Sequence, residues 1–252
     1  MKSYSTTIFF GVQSKPLFFA SMQSVIDSLE ARQGIYTGDN LFTYNRNLSF
    51  LDDTALMDSL AKNAKTEAHK SMLWRYAVNV WGLRQGLRLD GDFVDFGCGD
   101  GVPSRIACDA IALADQAGRR LFLHDSFDND PYTAKAAAEL NREEKFNAVK
   151  ALFADMPCVT VSKGTSAETQ LADFPEKIAF MRLASHSSDG EIAVLDSLFD
   201  RMVPGSVLVL DHYGWSFHRN QQTLQRDWFA GRGYHVVEYP TGQGMVVKRK
   251  AV

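Results

Sequence analysis

Two hydrophobic patterns divide the chain near residue 90. Before it, apolar residues recur at helical spacing. After it, short apolar runs alternate with helical stretches. Met22, Val25, Ile26 and Leu29 predict an amphipathic helix over 20–32. Helix is predicted again near 53–64 and over 67–86, where Met72, Leu73, Tyr76, Val80 and Leu83 share a face. Gly86 and the "LDGD" turn end the last of these. The intervening "GIYTGDNLFTYNRN" is dense in glycine, asparagine and aspartate, which predicts a turn-rich loop.

Beyond residue 90, strands are predicted at 93–96, 120–124, 158–162, 178–183 and 206–211. Helices are predicted between them, near 103–117, 134–153, 188–202 and 217–231. Such alternation implies parallel strands joined by crossover helices. The last two apolar runs, "YHVVEY" and "GMVVKRK", are separated only by "PTGQG". That connection is too short for a crossover, so the pair is predicted antiparallel. The expected fold is α/β: a Rossmann-like, doubly wound, seven-stranded sheet of five parallel strands plus a terminal antiparallel hairpin. Residues 1–88 form an amino-terminal helical cap and 89–252 the main domain.

Composition narrows the function classes. Of 252 residues, 45% are hydrophobic and 23% charged, with net charge −3, as in soluble globular proteins. No Lys/Arg block marks a nucleic-acid partner, and no apolar run is long enough for a membrane span. Gly11, Gln13 and Lys15 interrupt the aromatic-rich amino terminus, which argues against a signal peptide. Cys98, Cys108 and Cys158 lack C-x-x-C spacing, so a reducing cytoplasm is the expected location.

The first β-to-α turn carries "DFVDFGCGDG" at 92–101. Closely spaced glycines let a ligand approach the backbone at a helix start. Gly97, Gly99 and Gly101 spell G-x-G-x-G, whereas the dinucleotide fingerprint is G-x-G-x-x-G and would need glycine at Val102. That mismatch and the terminal hairpin disfavour a nicotinamide-dependent oxidoreductase. Asp125 stands just past the carboxyl end of the second strand, where a carboxylate can accept hydrogen bonds from both ribose hydroxyls of a nucleoside ligand; the alternative is a turn or helix cap. After the third strand, Gly164 to Glu168 of "KGTSAETQL" stand where a nucleobase would lie, unless Thr165 or Ser166 merely caps a helix.

The later half, "PEKIAFMRLASHSSDGEIAVLDSLFDRMVPGSVLVLDHYGW", resembles the macrocin-O-methyltransferase-like (TylF/MycF-type) family. The resemblance runs from "MLWRYAVNVWGLRQGLRLDGDFVDFGCGDG" to "YPTGQGMVVKRK". It implies a class I methyltransferase dependent on S-adenosyl-L-methionine (SAM), acting on a hydroxyl of a sugar or related small molecule. Asp95, Phe96, Gly97, Cys98, Gly99, Gly101, Asp125 and Ser126 then fall on SAM-binding positions, with Gly164, Thr165 and Ser166 beside the adenine. Several members bind Mg²⁺ near the acceptor. This chain departs there: "RLASH" places Ala184 in the first acidic position and His186 in the next polar one, and "DHYG" keeps Asp211 but puts His212 in the second acidic position.

Mg²⁺ prefers hard oxygen ligands, so three readings of His186, Asp211 and His212 stay open. His186 or His212 is a general base, with an ordinary pKa suited to the task. Or Asp211, His212 and His186 hold a softer ion such as Mn²⁺, Fe²⁺ or Zn²⁺. Or catalysis is lost, and the protein binds SAM or a protein partner. His124 is expected to be structural, and His218 and His235 are given no role. Asp189 and Glu191 suit a helix amino terminus. Cys98 is read as a small apolar residue. Trp215 either packs or lines the acceptor pocket. Tyr36, Tyr44, Asn45 and Arg46 either face an acceptor or sit on an incidental surface loop. The expected partner is a small-molecule acceptor, and a homo-oligomer is compatible with the composition.

Overall fold

The computed structural model describes residues 2–128, 140–165 and 174–250. It opens with strand β1 (Tyr4–Ser5) and helix α1 (Lys15–Asp27), which begins five residues before the predicted span, with Pro16 in its first turn. No residue of α1 is buried, and Leu17 and Val25 are 68% and 49% exposed. The segment predicted as loop instead forms a hairpin, β2 (Tyr36–Gly38) and β3 (Leu41–Thr43). Asp39 and Asn40 turn it with φ of 51° and 58°, the left-handed pair that a two-residue hairpin requires. β1 adds to β2 in parallel.

Helix α2 (Thr54–Asn63) is capped by the Asp53 carboxylate, which accepts from the Leu56 N–H. The single helix predicted over 67–86 is two, α3 (Glu67–Ser71) and α4 (Leu73–Gly86). The break has a tertiary cause. The hydroxyls of Tyr4 and Tyr36 donate to the carbonyls of Lys70 and Ser71 at 2.8 and 2.9 Å, taking acceptors that a continuous helix would use. Helix α4 lies on the main sheet. At Gly82 a Cβ would sit 2.6 Å from the Phe180 ring, and at Gly86 2.9 Å from the Ala179 carbonyl oxygen. Only glycine permits this approach.

The main sheet contains β4 (Asp92–Phe96), β5 (Leu121–Asp125), β6 (Val159–Lys163), β7 (Ile178–Leu183), β8 (Met202–Leu210), β9 (Val237–Glu238) and β10 (Gly244–Val247). Their order is β6-β5-β4-β7-β8-β10-β9, and β10 runs antiparallel to both neighbours. The crossover helices are α5 (Val102–Ala110), α6 (Arg142–Leu152), α7 (Ser188–Leu198) and α8 (Arg219–Gly231). This is the predicted seven-stranded sheet with its closing hairpin. Alternate residues of β4 face opposite sides: Phe93 joins the core under α2, α4 and α5, and Val94 and Phe96 join the core under α7 and α8. β4 and β7 run parallel, and the order in which successive strands are added to the sheet reverses between them. The crevice at their carboxyl ends is therefore the switch point at which such sheets bind ligands. Among the described residues, no helix is long and apolar enough to cross a membrane.

Candidate functional site

The three glycines of the loop after β4 serve three purposes. Gly97 (φ 88°) passes against the Ala184–Ser185 peptide at the end of β7, where a Cβ would overlap the backbone. Gly101 (φ 76°) opens α5 against Val149 and Phe153 of the α6 region. Gly99 (φ 58°) differs: no atom lies within 4 Å of where its Cβ would be. Its face is open to solvent at the carboxyl end of β4. Cys98 between them is buried, and burial pushes its thiol well above the ordinary range, which suits an inert apolar residue.

Asp125 at the end of β5 reaches this loop. Its carboxylate accepts from the Gly99 N–H and the Phe127 N–H, both at 2.8 Å. Burial pushes its pKa up against these two bonds. Ser126 Oγ accepts from the Asp128 N–H. The Gly164 N–H donates to the Asp125 carbonyl at 3.0 Å, so Gly164 and Thr165 border the same end of β5. Ser166 lies outside the described residues. His124 is sealed in the sheet, with its ring nitrogens 2.9 Å from Ser162 Oγ and the Gly164 carbonyl and its ring stacked on Phe96.

Beneath the crevice runs a buried chain of charges. Arg182 on β7 donates to Asp95 at 2.8 Å and to Asp211 at 2.9 Å. Asp95 also accepts from the Ser104 hydroxyl. Arg75 on α4 pairs with Asp39 in the hairpin turn through two bonds of 2.6 and 3.2 Å, and lies 3.6 Å from Asp211. Gln243 donates to the remaining Asp211 oxygen at 2.8 Å. Burial alone would raise the Asp211 pKa, but the guanidinium of Arg182 and then that of Arg75 hold it well below the usual carboxylate range. Arg182, Arg75 and Asp39 were absent from the sequence-based site. One signal was present: an arginine inside the apolar strand "IAFMRLA" must find buried counter-charges.

His186 follows β7 and His212 follows Asp211. The structure brings them together, with ring centroids 4.6 Å apart. It also brings in His218, given no role from sequence, at 4.7 Å from His212 and 5.2 Å from His186. Burial drives the His212 pKa well below the ordinary value, against the pull of Asp211. Its imidazole is therefore neutral at physiological pH. Asp211 belongs to the charge chain rather than to this corner. Ala184 offers no ligand, His212 offers nitrogen, and both Asp211 oxygens are engaged. The residues present do not fit Mg²⁺.

Glu191 stands in the first turn of α7, as its place in the sequence predicts. It is fully buried, accepts from the amides of Gln221 (2.7 Å) and Gln225 of α8, and burial pushes its pKa up to about 8. Tyr36 is likewise sealed, in the core that also holds Phe93 and Phe180, and cannot meet an acceptor. Trp215 packs under the Arg75 guanidinium, 4.9 Å from its ring centre, and stacks on Phe217. His69 of α3 reaches the glycine loop, its Nε2 2.8 Å from Asp100.

No protein-family model and no curated protein sequence matches the chain. Solved structures do. The O-methyltransferase NovP aligns with a TM-score of 0.58 at 14% identity, over 71% of this chain and 81% of its own. CalS11, a TDP-rhamnose 3'-O-methyltransferase of calicheamicin biosynthesis, aligns at 0.54 and 14% identity, over 79% and 89%. The SAH-bound methyltransferase PaMTH1 of Podospora anserina aligns at 0.51 and 10% identity, over 96% and 99%. At these identities the likeness shows the fold, which is that of methyltransferases.

Proposed function

We propose that the chain is a class I SAM-dependent O-methyltransferase whose acceptor is a hydroxyl of a sugar or sugar-containing small molecule. Support rests above all on the Asp125–Gly99 pair: a strand-end carboxylate bonded to a glycine loop whose open face borders the switch-point crevice. A carboxylate has about four lone-pair sites, and the two N–H bonds leave room for ribose hydroxyls. Bound SAM supplies an electrophilic methyl group on its sulfonium. The chain's own residues do the rest. Gly97, Cys98 and Gly99 present backbone to the ligand, and Gly101 starts the helix behind it. Asp95 and Phe96 hold the loop base in place, and Ser126, Gly164 and Thr165 border the nucleoside. Residues 1–88 serve as the cap.

On the acceptor side, His212 is the base, with His186 beside it to orient the hydroxyl or relay its proton. Asp211 acts as a positioning residue, because its ion pairs fix the strand end that carries His212. Orientation of donor and acceptor supplies up to about 7–11 kcal/mol of the barrier, and a base adds about 3–5 kcal/mol. The pocket is thus the larger contribution.

Calorimetric titration with S-adenosylhomocysteine (SAH) tests the reading. Saturable one-to-one binding that is lost in Asp125→Ala is expected, and absence of binding overturns it. Methyl transfer from SAM to sugar nucleotides, followed by mass, then identifies the acceptor. A second reading, a degenerate relative that binds SAM or a protein partner, draws on Ala184 and on the engagement of Asp211. Transfer to any sugar acceptor, abolished by His212→Ala, removes it.

A further inference from the structure

Three segments deliver one imidazole each to the same corner: His186 from the end of β7, His212 from the end of β8, and His218, six residues on, from the turn into α8. One ring nitrogen of each lies within 4.8 Å of the other two. We propose that His186, His212 and His218 form a binding site for a divalent transition ion of the zinc class.

The donor chemistry comes first. Three imidazole nitrogens suit Zn²⁺, Fe²⁺, Ni²⁺ or Cu²⁺ and disfavour Mg²⁺ and Ca²⁺. Geometry follows. Zn–N bonds of about 2.0–2.1 Å in a tetrahedron place donors roughly 3.3 Å apart. The rings must therefore draw in by an ångström or so. His186 is exposed and His218 half-buried, both outside the longer helices and strands of the fold. Three protein ligands leave a fourth position open, as in catalytic rather than structural zinc sites.

One further observation favours a ligand here. The Nδ1 of His212 is buried and has no hydrogen-bond partner, a state that buried polar atoms rarely keep. The charges beside this imidazole are divided: Asp211 favours a cation and Arg75 opposes one. The starts of α7 and α8 also oppose one, since helix amino termini favour anions. The inference therefore stands on the imidazoles and not on SAM binding, and an ion on His212 takes the lone pair that the proposed base would use.

The untagged full-length chain, stripped with a chelator, is titrated with ZnCl₂ against a chromophoric competitor and with CoCl₂ by visible absorption. One ion per chain and a tetrahedral Co²⁺ spectrum are expected. His218→Ala and His186→Ala should each weaken Zn²⁺ binding by at least ~10-fold, with SAH affinity in chelator unchanged. His235→Ala, at an exposed site elsewhere, should bind Zn²⁺ like the parent. If His218→Ala does not fold by circular dichroism, His218→Gln replaces it. No saturable binding, or binding indifferent to these histidines, overturns the site. So does inorganic phosphate binding at the same histidines while Zn²⁺ does not bind. A chain that binds SAH but no ion refutes only this inference; one that binds Zn²⁺ but no SAH refutes only the proposed function.

Discussion

Arg182 and Asp211 form a buried ion pair across β7 and β8, Nη2 to Oδ2, at 2.9 Å. The same guanidinium holds Asp95 of β4, so one side chain ties together three adjacent strand ends below the crevice. Its neighbours are fully committed: Asp211 also takes Gln243, and Asp95 takes Ser104.

Removing that guanidinium should leave two carboxylates buried without their main partner. Arg182→Met is expected to lose about 3–5 kcal/mol of stability in urea unfolding, as when one member of a buried pair is deleted. A loss below about 1 kcal/mol would show that the pair does not hold the strand ends.

Asp125→Asn keeps the shape of the side chain but removes its charge. Hydrogen bonds to a charged group contribute about 1.5–3 kcal/mol, so SAH affinity should fall roughly 10- to 100-fold. Calorimetry checks this, with far-UV circular dichroism as the control for folding. Unchanged affinity would mean that Asp125 serves only to hold Gly99 and Phe127.

Alanine at two glycines of the loop should separate packing from binding. Gly97→Ala forces a Cβ into the Ala184–Ser185 peptide and should lower thermal stability sharply. Gly99→Ala meets no atom of the chain; its left-handed backbone costs roughly 1–2 kcal/mol. Its larger effect should be on SAH binding, because the added methyl occupies the open face proposed for the ligand. Equal stability losses with intact binding would argue against a ligand there.

Glu191 predicts a pH dependence of stability. Its folded pKa of about 8 lies above the ordinary value of 4.5, so the folded state holds a proton that the unfolded state releases. Stability is full below about pH 4.5 and is lost as pH rises through 8, at up to about 1.4 kcal/mol per pH unit. The protonated acid has a use: Gln221 Oε1 and Gln225 Oε1 are buried acceptors that lack a donor. Glu191→Gln should match the parent near pH 5 and exceed its melting temperature at pH 8.5. Parallel curves at the two pH values would refute the assignment.

His212→Ala tests the acceptor side. Methyl transfer should fall by about 10²–10⁴ in kcat, while SAH affinity stays within a few-fold. A matching loss of SAH affinity would place His212 in the nucleoside pocket instead.

The periodicities of the chain determined the sheet, its closing hairpin, the crossover helices and the glycine turn. Those depend on local spacing: Phe93, Val94 and Phe96 alternate because a strand has period two, and Gly97 to Gly101 mark a turn wherever they occur. Tertiary structure decided the rest. Tyr4 and Tyr36 break the helix at Met72 by capturing two carbonyls from far along the chain. Asp211 belongs to Arg182 and Gln243, partners that only the sheet order brings near it. His218 joins His186 and His212 because the turn into α8 folds back over the strand ends. Side-chain partnerships between distant elements have no period, so they exist only once the strands are ordered and the buried charges must be matched.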